Sequence, residues 1–367
     1  MSRRRRPPGR PTPLCGTQLP YVIGVDTHAR THTLSVLEAP TGGFIDSAQF
    51  PSTPAGLKRA IAWAARRTVG DLDALWVIEG IGTYGALLCR AVLESGYDAV
   101  EAPRMAARSN RGLGKSDELD ARRIAAAALP LTENELRVPR TSDGERAALR
   151  VLVTAREHMT TERTAAINAL TALVRAMDLG VDARRPLSAK QITEVSRWRA
   201  RKEEIGAATA RAEAVRLASR VQALDDDLST NATRIDALVR TTPAAGLLEK
   251  AGIGPVTAAV ALTVWSHPGR VRSEAAFAAI AGVNPIPASS GNTTRHRLNR
   301  GGDRRLNRAL HMAVITRMAH DPATRAYVAR RTAEGSTTRE IRRCLKRYLA
   351  RHIYRYLNAA AVPLLTT

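Results

Sequence analysis

Four carboxylates, spread along the chain, carry the clearest chemistry. Asp26 ends the apolar run of YVIGVDTH (Tyr21–His28), and Glu79 ends that of LWVIEG (Leu75–Gly80). Asp117 and Asp120 lie three apart in GKSDELDARRIA (Gly114–Ala125), at the start of an alanine-rich segment. Residues three apart on a helix project from one face. Two strand-end acids plus an acidic helix pair are what two-ion phosphoryl transfer needs. Mg²⁺ prefers carboxylate oxygen, and two ions about 3.5–4 Å apart clamp the attacking and leaving oxygens. Each acid alone has a plainer reading, as a turn or cap residue or as a complement to a helix dipole. Two details favour the set. Glu79 directly follows Trp-Val-Ile, where an idle charge against a buried strand is costly. Gly114-Lys115-Ser116 gives the acidic pair a flexible basic approach, with Lys115 a candidate phosphate contact.

A second group of candidates lies in AGVNPIPASSGNTTRHRLNRGGDRRLNRAL (Ala281–Leu310). Ser289-Ser290-Gly291 is followed by Arg295, Arg297, Arg300, Arg304, Arg305 and Arg308. A serine beside glycine in an arginine-flanked loop is the layout a nucleophile for phosphodiester attack would use, with guanidinium groups holding phosphate. The residues alone favour the plainer reading, in which these serines cap a turn. A third group is Gly252 and Gly254 in LLEKAGIGPVTAAVAL (Leu247–Leu262). This has the pattern of a helix-hairpin-helix, whose tight turn offers backbone amides to a DNA phosphate.

The elements that must position these residues are legible in outline. Residues 20–130 read as α/β: strands at YVIGVD, Thr31–Ala39 and Phe44–Phe50, a turn at Gly42-Gly43, and a helix from Thr53-Pro54 to Arg67. A strand ending at Glu79, a helix over Tyr84–Ser95 and a strand over Tyr97–Ala102 follow. A hairpin followed by strand–helix alternation fits a ribonuclease-H-like sheet. There Asp26 and Glu79 would lie on neighbouring strands, with Asp117 and Asp120 on a later helix. Residues 141–240 read as two long helices. One has a seam at Leu149, Leu152, Arg156, Met159, Arg163, Ala166, Leu170, Leu173 and Met177, the other at Leu217, Val221, Leu224, Leu228, Asn231, Ile235 and Leu238. Such heptad seams suit an intermolecular coiled coil separating the subunits of a dimer or tetramer; a helical hairpin within one chain is the alternative. Residues 241–358 read as a basic helical domain whose last helix carries arginines over a packing face of Ile341, Leu345, Tyr348 and Ile353. Residues 1–19 read as a basic, disordered tail.

Composition narrows the partners. A net charge of +22 with a pI near 11.1 predicts a polyanion, either nucleic acid or an anionic membrane surface. The longest apolar stretch, around Val256–Trp265, is far short of the roughly 20 residues a span needs. The N-terminus lacks the apolar core of a secretory signal. Three scattered cysteines exclude a disulfide framework or a zinc site and suit a reduced, cytoplasmic setting.

With these residues in view, the chain resembles the DEDD-type insertion-sequence transposases of the insertion-sequence one-ten family, which includes the pilin-gene invertases. GVDTH, IEGIGTYG, GKSDELDA, AGIGPVTAA and the serine–arginine block are similar to its signatures, in its order, over about residues 20–355. The resemblance implies a RuvC-like N-terminal domain whose acids correspond to Asp26, Glu79, Asp117 and Asp120. It also implies a C-terminal transposase domain whose serine precedes glycine, here Ser290, with Ser289 in tandem. Many relatives have lysine after DTH, where this chain has Ala29 and then Arg30. The resemblance further implies Mg²⁺, DNA as partner, bacterial nucleoid association, a homodimer or homotetramer, and for some members a structured guide RNA encoded by the element. Two rival functions remain open. A RuvC-like nuclease or junction resolvase would use water as nucleophile, and a non-catalytic DNA-binding protein would bind without Mg²⁺-dependent products.

Overall fold

The computed structural model describes residues 19–103, 116–132, 135–140, 144–288 and 296–361. They fall into two compact units, one reaching to Arg140 and including Gly269–Arg272, the other formed by the remainder.

In the first unit the chain runs β1 (Tyr21–Thr27), β2 (Thr31–Glu38), β3 (Phe44–Pro51), α1 (Pro54–Arg67), β4 (Leu75–Ile78), α2 (Ala86–Glu94), β5 (Asp98–Glu101) and α3 (Asp117–Ala128). The strands form one mixed sheet in the order β3-β2-β1-β4-β5. β1, β2 and β3 are antiparallel neighbours, and β4 and β5 join β1 in parallel. This is consistent with a ribonuclease-H-like N-terminal domain. β1 and β4 are buried along nearly their whole length because helices cover both faces of the sheet. On one face Ile23, Val25, Trp76 and Ile78 pack with Leu57 and Trp63 of α1 and Leu88 and Val92 of α2. On the other, Val22, Leu75 and Val77 pack with Ile124, Ala125 and Ala128 of α3. Both α1 and α3 begin at a side-chain cap. Thr53 accepts from the Gly56 amide ahead of Pro54, and Ser116 accepts from the Leu119 amide.

The second unit is helical. It comprises α4 (Gly144–Ala176), α5 (Ala189–Ser196), α6 (Ile205–Arg240), a 3₁₀ turn (Ala245–Glu249), α7 (Pro255–Trp265), α8 (Glu274–Ile280), a ribbon of β6 (Ile286–Pro287) and β7 (His296–Arg297), α9 (Arg304–His320), α10 (Pro322–Ala333) and α11 (Thr338–Ala361). The two long helices, α4 and α6, pack antiparallel against each other. Their apolar seams, expected to meet a second chain, are covered within one chain. Leu149, Leu152 and Leu170 are buried on α4, and Val221, Leu224 and Ile235 on α6. Toward the start of α6 the buried stripe runs through Ala210, Ala214 and Ala218, where α5 packs Ile192 and Val195.

The polar residues interrupting both seams are matched across this hairpin. Asn231, 5% exposed, donates from Nδ2 to the Leu152 carbonyl (3.1 Å) and accepts from Arg156 at Oδ1 (3.4 Å). Arg156 also donates to the Leu228 carbonyl at 2.9 Å. Farther along, Arg163 pairs with Asp225, and Arg220 with Glu162. A single buried amide and its cross-helix partners fix a register that leucines alone would leave free to slip.

Over Leu247–Leu262, where a helix-hairpin-helix is expected, a five-residue 3₁₀ turn precedes α7. Gly252 lies in the left-handed region (φ 72°), and a Cβ there would fall 2.5 Å from the Ala313 carbonyl oxygen of α9. Gly252 thus lets two backbones approach inside the unit. Eight residues of the eleven in α7 are buried, so this helix is apolar all round.

Replacing Asn231 with Ala removes its bonds to the Leu152 carbonyl and to Arg156, which keeps its bond to the Leu228 carbonyl. We expect a loss of about 1–3 kcal/mol in urea unfolding. An unchanged midpoint would show that the polar seam contributes nothing.

Candidate nucleic-acid-processing site

Asp26 and Glu79 come together through strand register. Val25 pairs with Ile78 across the parallel β1–β4 ladder, so the next residue on each strand is an acid at the same sheet edge. The Glu79 amide extends that ladder by donating to the Val25 carbonyl (3.0 Å). Alternation along each strand puts Asp26 on the face of Val22 and Gly24, and Glu79 on the face of Leu75 and Val77. That is the face covered by α3.

Gly24 sets how closely α3 approaches. A Cβ on it would collide with the Ala121 carbonyl oxygen and lie 2.5 Å from the Ala125 amide. The helix therefore rests backbone to backbone on β1, and its first turn overhangs the strand end. That turn carries Asp117, Glu118 and Asp120 and no base, as the positive end of a helix dipole favours. Gly80 (φ 58°) turns the chain sharply after Glu79, and Thr27 Oγ1 donates to the Glu79 carbonyl (2.9 Å), tying the two strand ends.

His28 is the residue that reading for acids overlooks. Its Nε2 lies 3.2 Å from Asp26 Oδ2 and 3.7 Å from Asp117 Oδ1. The DTH triplet contained the signal, since a histidine two residues past a strand-end acid falls beside it. Gln49 was invisible in the sequence. It reaches the site because β3 aligns it with Thr33, and its Nε2 donates to Asp117 Oδ2 (3.3 Å). Asp120 accepts from Arg123 one turn along its own helix (3.0 Å).

The electrostatics follow from crowding. Burial pushes the Asp26 carboxyl above its ordinary value; His28 opposes this, while Asp117 and Asp120 push the same way. Burial also raises Glu79, with Asp26 and Asp120 adding to it. Glu79 itself is exposed, just beyond the buried end of β4. The cost expected for a charge against a buried strand therefore falls on Asp26, which is 8% exposed. One ligand atom each from Asp26, His28 and Asp117 can be chosen so that all lie within 4.8 Å of one another, which fits the reach of a single ion. A hard, oxygen-dominated donor set with mutually repelling carboxylates fits a divalent cation.

The remaining candidates lie in the second unit or outside the described residues. Lys115, Ser289, Ser290 and Arg295 fall outside them. Arg297, Arg300 and Arg304 are exposed around β7 and the start of α9, and no ion pair engages them among the described residues. Arg305 and Arg308 instead both pair with Glu157 of α4. Gly254 precedes α7, with open space where its Cβ would be.

Known families match both parts of the chain. A DEDD transposase family of the IS110 type, described as "Transposase", matches residues 23–177. The family described as "Transposase IS116/IS110/IS902 family" matches residues 244–329. The chain belongs to the IS110 family of DEDD transposases. The transposase is similar to the 42-kDa protein of insertion element IS900 from Mycobacterium paratuberculosis. The two are 28% identical over 363 residues, covering 86% of this chain and 90% of that protein. It is also 33% identical over 123 residues to the 43.6-kDa protein of insertion element IS110 from Streptomyces coelicolor, covering 33% of this chain and 30% of that one. As a transposase it cuts and rejoins DNA. All four carboxylates fall within the first match, and Ser290 within the second. Among the described residues, no helix is long and apolar enough to cross a membrane.

Two outcomes test this geometry. Gly24→Ala should lift α3 from the sheet, costing about 1–3 kcal/mol of stability and weakening Mn²⁺ binding in calorimetry. Unaltered Mn²⁺ affinity would mean that the α3 contact does not position the acids. The second concerns pH. A carboxyl raised in the fold favours its protonated form, so its stabilising term is present below the unfolded pKa and lost as pH rises through the folded one. Asp26→Asn should therefore raise the melting temperature of the cation-free transposase near pH 7, with less gain near pH 4. An equal difference at both pH values would contradict the crowding of charge.

Proposed function

We propose that this transposase mobilises its own insertion sequence by serine attack on DNA, with Asp26, Glu79, Asp117 and Asp120 holding Mg²⁺. One observation carries the metal half of this reading: four acids from three elements converge at one sheet edge, where Gly24 seats α3. An Mg²⁺ site there supplies a Lewis acid for a phosphate oxygen. The arrangement of this chain's residues supports two ions shared among the four carboxylates, with His28 and Gln49 orienting Asp26 and Asp117.

The nucleophile is Ser290, on the strength of the serine–glycine–arginine block and the family it resembles. Its Oγ attacks the phosphorus of the scissile phosphodiester. The Oγ–P bond forms, the bond from phosphorus to one deoxyribose oxygen breaks, and that oxygen leaves with a proton. Rejoining reverses the step, with a strand hydroxyl displacing the serine. Arg295, Arg297, Arg300 and Arg304 bind backbone phosphates, and the unpaired state of the described three supports that role. Lys115 and the backbone amides in the first turn of α7, just past Gly252, Gly254 and Pro255, add contacts that carry no base specificity. A guide RNA encoded by the element is compatible with so basic a chain. A homodimer or homotetramer is the assembly that the family resemblance implies.

The test is covalent trapping. Purified protein is mixed with labelled element-end DNA, Mg²⁺ and any element-encoded RNA, and products are separated under denaturing conditions. A protein–DNA adduct is expected, absent with EDTA and absent in Ser290→Ala. Free nicked DNA without an adduct, made equally by Ser290→Ala, would replace the serine with water as nucleophile.

A further inference from the structure

In the second unit, α9, α10 and α11 border a cavity of about 440 Å³ that opens to solvent. Arg317, Arg351, His352 and Arg355 line it, together with Thr324 and the ring of Tyr348. Val314 and Leu349, both nearly fully buried, form its apolar floor. α11 lies beyond the residues that either family match covers.

Cations outnumber their partners here. Arg351 and Arg355 share a single acid, Glu274, whose carboxyl they hold down at about 2. Arg317 donates from Nε to the Ala251 carbonyl (2.6 Å), and the weak pull of Asp321 is the one acidic influence on it. Asp321 is itself engaged in capping α10. Burial opposes the protonation of His352, and Arg317, Lys250 and Arg355 oppose it further. An excess of positive charge over a partly buried floor is stabilised by an anion with several acceptor oxygens, which phosphate supplies.

The aromatic side narrows the ligand further. Tyr348 is 56% exposed, a large ring left in water on a helix that buries Ile341, Leu349, Ile353 and Leu357. Tyr327 meets it edge-on (centroids 6.3 Å, 86°), and Arg330 lies 5.5 Å from the Tyr327 ring centre. This support leaves a face of Tyr348 available for stacking. Duplex bases are already stacked on one another, so an exposed ring beside phosphate-binding cations suits an unpaired base. The volume lies at the small end of ligand sites and suits one nucleotide.

We infer that this cavity binds one unpaired nucleotide of a single-stranded nucleic acid, its base on Tyr348 and its phosphate between Arg317, Arg351 and Arg355. Neither the four carboxylates nor Ser290 take part, so binding is read without cleavage and holds whatever nucleophile cuts DNA.

The test uses the full chain and fluorescence anisotropy at fixed salt, with labelled single-stranded RNA, single-stranded DNA and duplex DNA. Tyr348→Ala should weaken single-strand binding by about fivefold to a hundredfold, with duplex binding unchanged. Tyr348→Phe should bind as the parent does. Arg355→Gln should flatten the dependence of log affinity on log salt by about 0.7. Stronger loss on RNA identifies a structured RNA as the source, and stronger loss on DNA identifies a displaced strand. Equal affinity of Tyr348→Ala and parent overturns the site, as does an equal loss on duplex. A 5-iodouracil oligonucleotide irradiated with the parent chain should crosslink to Tyr348, and crosslinks found only elsewhere would also overturn it.

Discussion

The unit that carries the four acids depends on one steric fact, the missing side chain at Gly24. A helix ordinarily stands off a sheet by the thickness of two layers of side chains. At Gly24 that layer is absent, and the Ala121 carbonyl and Ala125 amide of α3 occupy its place. Alanine at 121 and 125 completes the contact, because a larger residue at either would restore the gap. The rest follows by geometry. With α3 pressed down, its first turn extends over the ends of β1 and β4. Ser116 starts the helix at that point, and Asp117 and Asp120 face Asp26 and Glu79. Interiors are packed densely enough that a shift of one methyl group would propagate to all four acids.

The helical unit solves a different problem with the same economy of means. Its two longest helices would slide if held only by leucines and alanines. Asn231, Arg156 and the Arg163–Asp225 pair are satisfied in one register. This changes what the charge of the chain means. Many of its arginines hold helices to helices: Arg305 and Arg308 join α9 to α4 through Glu157, and Arg351 and Arg355 join α11 to α8 through Glu274. Those free to meet phosphate are fewer than net charge suggests. They sit around β7 and at the start of α9, while the arginines of the cavity beside Tyr348 outnumber the one acid, Glu274, that two of them share.

Much of this was legible in residue order, for physical reasons. Val and Ile runs ended by an acid mark buried strands, which located Asp26, itself buried, and Glu79, which reaches water. Ser116 followed by acids marks a capped helix start, which located Asp117 and Asp120. Periodicity revealed the seams of α4 and α6 but not their partner, because an apolar stripe has the same pattern whichever chain covers it. A glycine pattern likewise does not reveal which neighbour the missing side chain admits, and at Gly252 it is the Ala313 carbonyl. Gln49 joins the site only through cross-strand register. The cavity combines three helices whose spacing no local pattern encodes, and Tyr348 read from sequence as part of a packing face is more than half exposed.

Both units share an electrostatic logic. At the strand ends, burial and then neighbouring carboxylates make Asp26 and Glu79 resist ionisation. In the cavity, burial and then neighbouring cations make His352 resist protonation. Each arrangement lowers the stability of the empty protein, since like charges are held together against their repulsion. Each would be relieved by a ligand of opposite sign, in the proposed reading a divalent cation in one case and a phosphate in the other. A group that binds only the folded state returns its binding free energy as stability. Relief of that repulsion adds to what a counter-charge gains by entering: the more the empty site opposes its own charges, the larger this part of the affinity.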